Sequence, residues 1–544
     1  MPVLIVGGGS VGLSLAAELG WRGVDCLVVE RMSGLNQHPR ANAVANRTME
    51  YYRRWGIDRE ISEAGIPPHL PANYFYVTTL AGRMLHGVEL PPFSELNKAA
   101  APGGYAKAEH TWSPYLKTIT GQQEVEKALL GYVNGRDSVS TRFGVELIAF
   151  EETDDGVRCT LADQRNGTEE TVFAQYLVAC DGGRSMVRRR LGVRLSGRSD
   201  LANFVSIYFR APRFNDAHSF GHANIFFPLH RNHRGFLLNW DGGATFTFHA
   251  VLEEGQPWDA VDPVKTIQGL LGAPVDVEVL SVQPWTAHAL VADRYRKGRV
   301  FLAGDAAHLF SPTGGFGMNT GVSDVIDLAW KLEASLNGWA GPRLLDSYEA
   351  ERLPIGVRNT NEAADCFDRL FAVMQDGDVI DADSDEGVEA RARLKAMIVE
   401  QEKLIVSSGT LLGYRYGDSE FVAPDGSPEP PDHPRDYIPT ARPGHRAPHL
   451  WLADGTSILD RFGAGFTLLA LGEAASDAAV ATANFQAEAA RRGVPLTLAP
   501  VPDEAAIALY ERKYVLVRPD LMIGWRGDET PSDPAHILDI VRGA

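Results

Sequence analysis

The feature that most constrains the fold lies in the first thirty residues, where a glycine cluster separates a short apolar run from a helical pattern. Residues 3–6 are apolar, and Gly7, Gly9 and Gly12 follow them with the spacing GxGxxG. A second β-type run then ends at the acidic Glu30. This order predicts a β-α-β unit, in which two parallel strands are joined by a right-handed crossover.

The glycine motif also indicates a chemical use. Its glycines let the backbone turn tightly and approach a pyrophosphate, which the following helix N-terminus favours electrostatically. Glu30 is placed to accept hydrogen bonds from a ribose, and Arg31 directly after it is a further candidate for cofactor binding. The motif therefore predicts dinucleotide binding, although it does not separate FAD from NAD.

A second motif lies in Tyr176–Arg190, where an apolar strand is followed by Asp181, Gly182 and Gly183 and then by a basic helical segment. In isolation this segment could be an ordinary strand-to-helix turn with a solvated cationic face. Its interpretation depends on the other motifs.

A third motif lies in Val300–Leu332, where a strand ends at Gly304 and Asp305 and a Pro- and Gly-rich loop leads into a helix. A carboxylate at a strand end can hold a ribitol or ribose hydroxyl. The helix N-terminus can stabilise the negative charge that develops on a reduced flavin. The glycines that would permit close approach to a flat ring are Gly314, Gly315 and Gly317.

Taken together, the order and spacing of the three motifs resemble those of the class A flavoprotein monooxygenases, the family of p-hydroxybenzoate hydroxylase and phenol hydroxylase. The resemblance extends over roughly residues 3–400. It implies FAD as the cofactor and NADPH or NADH as the co-substrate. In that family the first motif holds the ADP part of FAD, the second is associated with FAD and the nicotinamide coenzyme, and the third binds the ribitol.

The resemblance also assigns residues outside these motifs. Arg40 in HPRANAVANRTME corresponds to the family arginine near FAD, and Gln122 in ITGQQEVEKALL to its FAD-contacting glutamine, with Gln123 as the alternative. Pro312 corresponds to the proline beside the isoalloxazine ring. The full set of predicted cofactor-binding residues is Gly7, Gly9, Gly12, Glu30, Arg31, Arg40, Gln122, Asp181, Gly182, Gly304, Asp305, Pro312, Gly315, Gly317, Met318 and Asn319.

The chain departs from the family pattern at two positions. Asn42 replaces a histidine of the phenol- and biphenyl-type relatives that could help to ionise a phenol, which leaves the deprotonation route open. Phe316 stands where many relatives carry glutamine, and it would make the surroundings of the flavin more apolar.

The stretch from about residue 190 to 285 contains alternating segments and predicts a strand-rich sheet. This sheet is expected to supply the walls of a closed apolar substrate pocket. Asn42, Tyr208 and His249 are the candidate catalytic residues, although core packing is the commoner role of sheet aromatics and histidines. The other residues considered for the pocket are Phe226, Phe227, Trp240, Trp285, His222, His230 and His288.

The last part of the chain is set off by residues 417–447, which are rich in Pro, Gly, Asp and Arg. The segment after it resembles the thioredoxin-like tail of the phenol hydroxylase and polyketide hydroxylase branch. It contains no cysteine, so thiol redox chemistry is excluded there and a structural role, or support of a homodimer, is expected.

The predicted fold class is α/β, with a Rossmann-like FAD-binding domain, an inserted mixed β-sheet substrate domain and a thioredoxin-like C-terminal domain. The predicted limits are 1–71, 101–189 and 286–400 for the FAD-binding domain, 72–100 and 190–285 for the substrate domain, 401–447 for a linker and 448–544 for the C-terminal domain.

Composition restricts the partners. The net charge of −18 disfavours binding to nucleic acid or to anionic membranes, so small molecules are the expected partners. The four cysteines have no metal-ligand spacing, and no metal site is predicted. The chain lacks a basic n-region and a long uncharged apolar run, so a cytoplasmic location is expected.

The resemblance implies that NAD(P)H reduces FAD, that reduced FAD takes up O2, and that a C4a-hydroperoxide hydroxylates a phenolic or polycyclic aromatic substrate. Baeyer–Villiger or dearomatising oxidation on the same fold is the alternative. A flavin-dependent halogenase is less favoured because its WxWxIP signature is absent. A flavin-binding sensor without turnover is the alternative from another class.

Overall fold

The computed structural model describes residues 1–95, 112–374, 379–402 and 407–544. A six-stranded sheet has the order β17-β18-β11-β1-β2-β7 and is parallel except for β17. β1 and β11 are entirely buried, as expected for parallel strands whose two faces are both covered. The strands of this first sheet are β1 (Val3–Val6), β2 (Cys26–Glu30), β7 (Val139–Phe143), β11 (Tyr176–Ala179), β17 (Arg296–Lys297) and β18 (Val300–Leu302).

The helix between β1 and β2 confirms the β-α-β unit. The strand and helix after the third motif also lie where the sequence predicted them, since β18 is followed by a helix that begins at Phe316. The helices of this part of the chain are α1 (Ser10–Trp21), α2 (Asn46–Trp55), α3 (Asp58–Glu63), α4 (Gln122–Asn134), α5 (Met186–Arg190), α6 (Pro263–Leu271), α7 (Phe316–Leu336), α8 (Asp346–Met374), α9 (Asp385–Glu402) and α10 (Ser408–Leu412).

A second, eight-stranded sheet confirms the strand-rich region. Its order is β19-β16-β12-β15-β14-β13-β4-β5, and one of its faces packs on α6 around Phe226, Leu237 and Ile267. Its strands are β4 (Tyr74–Val77), β5 (Met84–Val88), β12 (Leu195–Arg210), β13 (Ile225–Pro228), β14 (Gly235–Asn239), β15 (Thr245–Val251), β16 (Glu278–Ala292) and β19 (His308–Leu309).

Two small sheets complete the region before residue 310. β8, β9 and β10 form an antiparallel sheet beside β2, and β3 pairs with β6 close to α2. Their strands are β3 (Ala43–Val44), β6 (Thr118–Ile119), β8 (Val145–Glu152), β9 (Val157–Asp163) and β10 (Glu169–Ala174).

The C-terminal part forms a four-stranded sheet with the order β21-β20-β22-β23, in which β20 is parallel to β21 and antiparallel to β22. Helices α12 and α14 cover it in a thioredoxin-like α/β arrangement, and Phe466 packs against Trp330 of α7. Its elements are β20 (Phe466–Leu471), α11 (Ala478–Ala481), α12 (Ala483–Arg491), β21 (Leu496–Val501), α13 (Glu504–Tyr510), β22 (Tyr514–Val517), β23 (Ile523–Gly527) and α14 (Pro534–Val541).

The domain limits stay predictions. The limit at residues 100 and 101 lies outside the described residues, the limit at 285 and 286 falls within β16, and the linker limit at 401 falls within α9. Among the helices of the described ranges, none combines the length and the apolar composition that a membrane span needs.

Candidate active site

A cavity of about 510 Å³ lies where the carboxyl ends of three neighbouring parallel strands meet one face of the eight-stranded sheet. Gly9 follows β1, Gly182 follows β11 and Asp305 follows β18, so the three sequence motifs converge on the same space. Crevices at the carboxyl ends of parallel strands are the usual ligand sites of α/β folds. The opposite wall consists of Tyr74, Tyr76, Ile225, Phe227, Phe236 and Leu238.

The glycines of the first motif have different roles. Gly7 has φ +111°, and a Cβ there would lie 2.2 Å from the carbonyl oxygen of Cys180. A Cβ on Gly12 would lie 1.9 Å from the carbonyl oxygen of Gly7. At Gly9, by contrast, the nearest such atom would be 3.7 Å away, so protein packing does not require glycine there. The free space at Gly9, which lines the cavity, can admit a ligand.

The acidic end of β2 is held by backbone groups. Glu30 accepts hydrogen bonds from the N–H of Gly8 at 2.8 Å and of Met32 at 2.9 Å. These bonds fix the carboxylate and leave lone pairs for the hydroxyls of a ribose. Arg31 is exposed and does not line the cavity.

Arg40 and Gln122 both line the cavity next to the N-terminus of α1. The backbone N–H of Gln122 donates to the carbonyl of Ala41, and its side-chain amide donates to Glu126 at 2.7 Å. Glu126 also accepts from the backbone N–H of Ser10, and burial raises the pKa of its carboxyl. The loop of Arg40 and helix α4 are thus held together beside α1.

The second motif forms a strand-to-helix turn that reaches the cavity at Gly182, while Arg184, Arg189 and Arg190 after it are exposed. One oxygen of Asp181 accepts from the backbone N–H groups of Met186 and Val187 at the start of α5. Its other oxygen is buried without a hydrogen-bond partner among the described residues. Gly182 lines the cavity with φ +79° and has open space at its Cβ position.

The third motif brings a carboxylate into the cavity. Gly304 has φ +58° and is crowded by Val11 and Gly321, so α1, α7 and this turn approach closely. Asp305 follows it and lines the cavity. Its side chain is exposed to the cavity. Partial withdrawal from bulk water raises the pKa of its carboxyl, while His308 and Arg40 act in the opposite direction.

The loop before α7 also leaves free space next to two of its glycines. A Cβ on Gly315 or Gly317 would come no nearer than 3.9 Å or 3.6 Å to the surrounding protein. Both glycines line the cavity together with Pro312 and Met318. The positive φ of Gly315, +68°, is a second reason for glycine there.

Asn319 does not line the cavity, and its amide binds the protein itself. Its oxygen accepts from the backbone N–H of Ala45 and from Thr48, and its nitrogen donates to the carbonyls of Ala43 and Gly315. These four bonds use the whole capacity of an amide. The side chain therefore positions the loop of Gly315 rather than a ligand.

These residues fit FAD on three grounds. The space at Gly9, Gly315 and Gly317 admits backbone approach to a pyrophosphate and to a flat ring. At the start of helix α1 the N–H of Ser10 donates to Glu126, and the N-cap residue Gly9 has no side chain to cap the N–H groups that follow, which can therefore bind an anion. Finally, the carboxylate of Asp305 opens into the cavity where a polyol could hydrogen-bond to it.

The candidate catalytic residues are placed differently. Asn42 lines the cavity, whereas Tyr208 and His249 do not. In the strand register Tyr208 lies level with Leu238, and His249 lies level with Phe236. Tyr208 and His249 are therefore on the same sheet face as the cavity wall, but on strands that are further from the cavity. His249 accepts from Trp285, and burial lowers the pKa of its imidazole to about 3.

A histidine that the sequence did not single out covers this part of the sheet. The two ring nitrogens of His38 lie 2.7 Å from the hydroxyl of Ser206 and 2.6 Å from that of Ser281. Its ring meets Tyr208 edge to face at 6.1 Å between centroids. His38 therefore fixes the loop that carries Arg40 onto the sheet.

The other pocket candidates divide between the two faces. Phe227 and His288 line the cavity, and Phe226 packs in the core on the opposite face. Trp240 donates to Thr247. His222, His230 and Trp285 do not line the cavity.

Sequence reasoning missed Tyr74, Tyr76 and Lys117, all of which line the cavity. Tyr74 and Tyr76 alternate along β4 with the core residues Phe75 and Val77. That alternation in ANYFYV was a usable signal, since residues two apart share a face. No local pattern marks Lys117.

The comparisons with known proteins agree with this geometry. Residues 1–363 match the family model described as FAD binding domain, and residues 440–543 match that of the aromatic-ring hydroxylase C-terminal domain. A putative polyketide hydroxylase of Streptomyces halstedii is 35% identical and aligned over 99% of this chain and 97% of its own.

Two solved structures superpose over the whole chain. The rebeccamycin biosynthetic enzyme RebC with reduced flavin has a TM-score of 0.86 at 35% identity, covering 100% of this chain and 99% of that one. The complex of aklavinone-11 hydroxylase with FAD and aklavinone has a TM-score of 0.82 at 32% identity, with the same coverage of both chains. The chain therefore belongs to the FAD-dependent aromatic-ring hydroxylases, the class A flavoprotein monooxygenases.

Proposed function

We propose that this enzyme uses NADPH or NADH and O2 to hydroxylate a phenolic or polycyclic aromatic substrate bound in the cavity described above. The observation that carries the proposal is the continuity of that cavity. One side of the cavity is formed by the loops of Gly9, Asp305 and Gly315. The other side is formed by aromatic and aliphatic side chains of the eight-stranded sheet. A flat cofactor and a flat substrate can share such a space.

The cofactor would be held by groups that come from all three motifs. Arg40 and the N-terminus of α1 would bind the pyrophosphate, Glu30 a ribose and Asp305 the ribitol. The N-terminus of α7 would face the ring and stabilise negative charge on it. Bound FAD would supply what no side chain can, namely hydride acceptance from the coenzyme and activation of O2.

The sheet would orient the substrate and keep water away from the reacting atoms. Tyr76 and Phe227 stack with 4.7 Å between ring centroids, and Phe236 stacks on His249 at 4.4 Å. These packed rings make a wall that is apolar and fixed in position. Water exclusion matters because activated oxygen would otherwise be lost before transfer.

The names of the relatives support a substrate with fused aromatic rings. They include a putative polyketide hydroxylase and an aklavinone-11 hydroxylase crystallised with FAD and aklavinone. Asn42 lines the cavity and would contact the substrate or the flavin, while Tyr208 and His249 lie on the same sheet face beside the cavity wall and would support it.

Stopped-flow reduction by NADPH and by NADH, with and without phenols, naphthols and polycyclic quinones, tests the proposal. We expect one compound to accelerate reduction of the flavin and to yield a product heavier by one oxygen atom. Accelerated reduction that yields only H2O2 with every compound would contradict hydroxylation, and a lactone or ester product would favour the Baeyer–Villiger alternative.

A matched pair of variants locates the substrate. Phe227→Leu changes the cavity wall, and Phe226→Leu changes the opposite face of the same strand. We expect the first variant to weaken the effect of the compound on flavin reduction and the second to leave it unchanged. Equal effects of both would place the substrate elsewhere.

A further inference from the structure

The charged side chains of the cavity are not all explained by the cofactor. Among the described residues that line it, those with a formal charge are Arg40, Asp305 and Lys117. The charge of Arg40 acts to lower the pKa of the carboxyls of both Asp305 and Glu126, so Arg40 belongs to the cofactor end of the cavity. Lys117 has no such relationship and needs a separate account.

Lys117 lines the cavity at the start of β6. It directly precedes β6, whose residue Ile119 also lines the cavity and packs with Ala43 and Ile66. Residues two apart on a strand share a face, so Lys117 and Ile119 are presented to the same side. Leu70 packs against this cluster. Lys117 therefore reaches the cavity next to a strand residue that belongs to an apolar cluster.

No carboxylate among the described residues forms an ion pair with Lys117. Burial lowers the pKa of its ammonium, and no charged neighbour opposes that effect. The side chain of Lys117 is partly exposed where it lines the cavity. A ligand that fills the cavity would withdraw the ammonium from water, and an anionic ligand would offset much of that cost. Among the described residues Lys117 is thus a cation without a carboxylate partner, and a ligand could supply that partner.

We infer that Lys117 receives an anionic oxygen of the aromatic substrate, either a phenolate or an aryl carboxylate, and thereby selects substrates that carry one. This inference rests on the proposed function, because it concerns the substrate of the same cavity. For a phenol, the O–H bond breaks, its proton passes to solvent, and both electrons stay on the oxygen beside the ammonium. The ring then becomes richer in electrons.

The inference also bears on the departure at Asn42. An asparagine side chain can donate a hydrogen bond to a phenolate, but it carries no charge to stabilise one. Lys117 precedes the strand that pairs with β3, and β3 begins directly after Asn42. The antiparallel register puts the two residues at opposite ends of this pairing, but both line the cavity, where the cation would supply the charge that the asparagine lacks.

Equilibrium binding to the FAD-loaded protein tests the inference without turnover. The probes are two pairs that differ mainly in charge: 2-naphthoate with 2-naphthamide, and 2-naphthol with 2-methoxynaphthalene. Fluorescence of the naphthalene ring reports binding, and absorbance reports ionisation of the naphthol. The variants are Lys117→Met, Lys117→Gln and Lys117→Arg, with Lys127→Met as the control at an exposed lysine of α4.

The wild-type protein and Lys127→Met should bind naphthoate, or the ionised naphthol, about tenfold more tightly than its neutral partner. The two uncharged variants should lose that preference at equal FAD content, and Lys117→Arg should keep part of it. Preference for naphthoate would identify a carboxylate, and ionisation of the naphthol on binding would identify a phenolate.

Two results would overturn the inference. One is a wild-type protein without preference in either pair, including no binding of any probe. The other is a preference that survives in both uncharged variants. Failure of the coenzyme to reduce the flavin would instead count against the proposed function, and it would leave these titrations interpretable.

Discussion

The carboxylate of Asp324 lies 2.6 Å from the imidazole of His308, and both side chains are fully buried. The same carboxylate oxygen accepts a hydrogen bond from the backbone N–H of Gly304 at 3.2 Å. Its other oxygen accepts from Arg352 at 2.9 Å. Asp324 on α7 thus fixes the turn that presents Asp305 to the cavity.

Asp324→Asn should weaken both folding and cofactor binding. Burial alone would raise the pKa of Asp324, but His308 and Arg352 outweigh it and hold the pKa below its ordinary value. Loss of the charge leaves Arg352 buried without its carboxylate, which typically costs about 3–5 kcal/mol. Urea unfolding and FAD titration measure the two effects.

The control for this variant is Asp368→Asn. Asp368 pairs with Arg198 at 2.7 Å, and about half of each side chain is exposed. Such a pair is worth about 1 kcal/mol or less. If the two variants lose equal stability, Asp324 does not brace the turn.

Gly9→Ala should leave the stability of the apoprotein nearly unchanged and strongly weaken FAD binding, because the space at Gly9 is free of protein atoms. Gly7→Ala should instead fail to fold properly, since its Cβ would overlap the carbonyl of Cys180. Gly131→Ala on the exposed side of α4 is the control and should stabilise the protein by up to about 1 kcal/mol. Unfolding of the apoprotein and a titration with FAD separate the three cases, and tight binding of FAD by Gly9→Ala would refute the assignment.

His38 should make stability depend on pH between 6.5 and about 4. Burial, aided by Arg40, lowers the pKa of its imidazole from 6.5 to about 4. In that window the unfolded chain binds a proton that the folded chain does not, so stability falls as pH falls. His38→Gln should reduce the loss between pH 7 and 4 by up to about 3 kcal/mol.

Urea unfolding at several pH values measures this difference. His536→Gln, at an exposed histidine of α14, is the control and should behave as the wild-type protein does. A variant at His38 whose stability falls as steeply as that of the control would show that the buried imidazole does not contribute.

Arg446→Met should destabilise the contact between α2 and the segment before β20. Arg446 and Arg47 both bind the carboxylate of Glu50, and all three side chains are buried. Removal of one partner from such a cluster costs about 3–5 kcal/mol. Arg53→Met breaks the partly exposed pair with Asp460 and should cost about 1 kcal/mol or less, as thermal or urea unfolding would reveal.

The convergence of the three motifs on one cavity could be predicted from the sequence. Gly9, Gly182 and Asp305 each follow a strand of one parallel sheet, and the carboxyl ends of such strands necessarily meet at one edge. A strand pattern with an acidic or glycine end is visible in sequence. Its place in space then follows from the topology.

The substrate end could not be predicted in the same way. β4 joins the sheet by pairing with β13, which lies about 150 residues further along the chain, and periodicity does not identify a partner. Tyr208 and His249 lie on predicted strands but do not line the cavity. The loop of His38 covers that part of the sheet, and no local pattern indicates such a cover.

Asn319 illustrates a similar limit. Its neighbour Met318 lines the cavity, but the helix directs the asparagine amide toward Ala45 and Gly315. Adjacent residues of a helix point in different directions, so a motif that reaches the ligand also contains residues that support it.

The most direct test of the central claim is a single turnover under 18O2 with the compound that most accelerates flavin reduction. An oxygenase of the proposed kind should place one 18O atom on the aromatic substrate, and a reaction in H2 18O under ordinary O2 should place none. A product whose new oxygen comes from water, or 18O found only in hydrogen peroxide, would contradict the account.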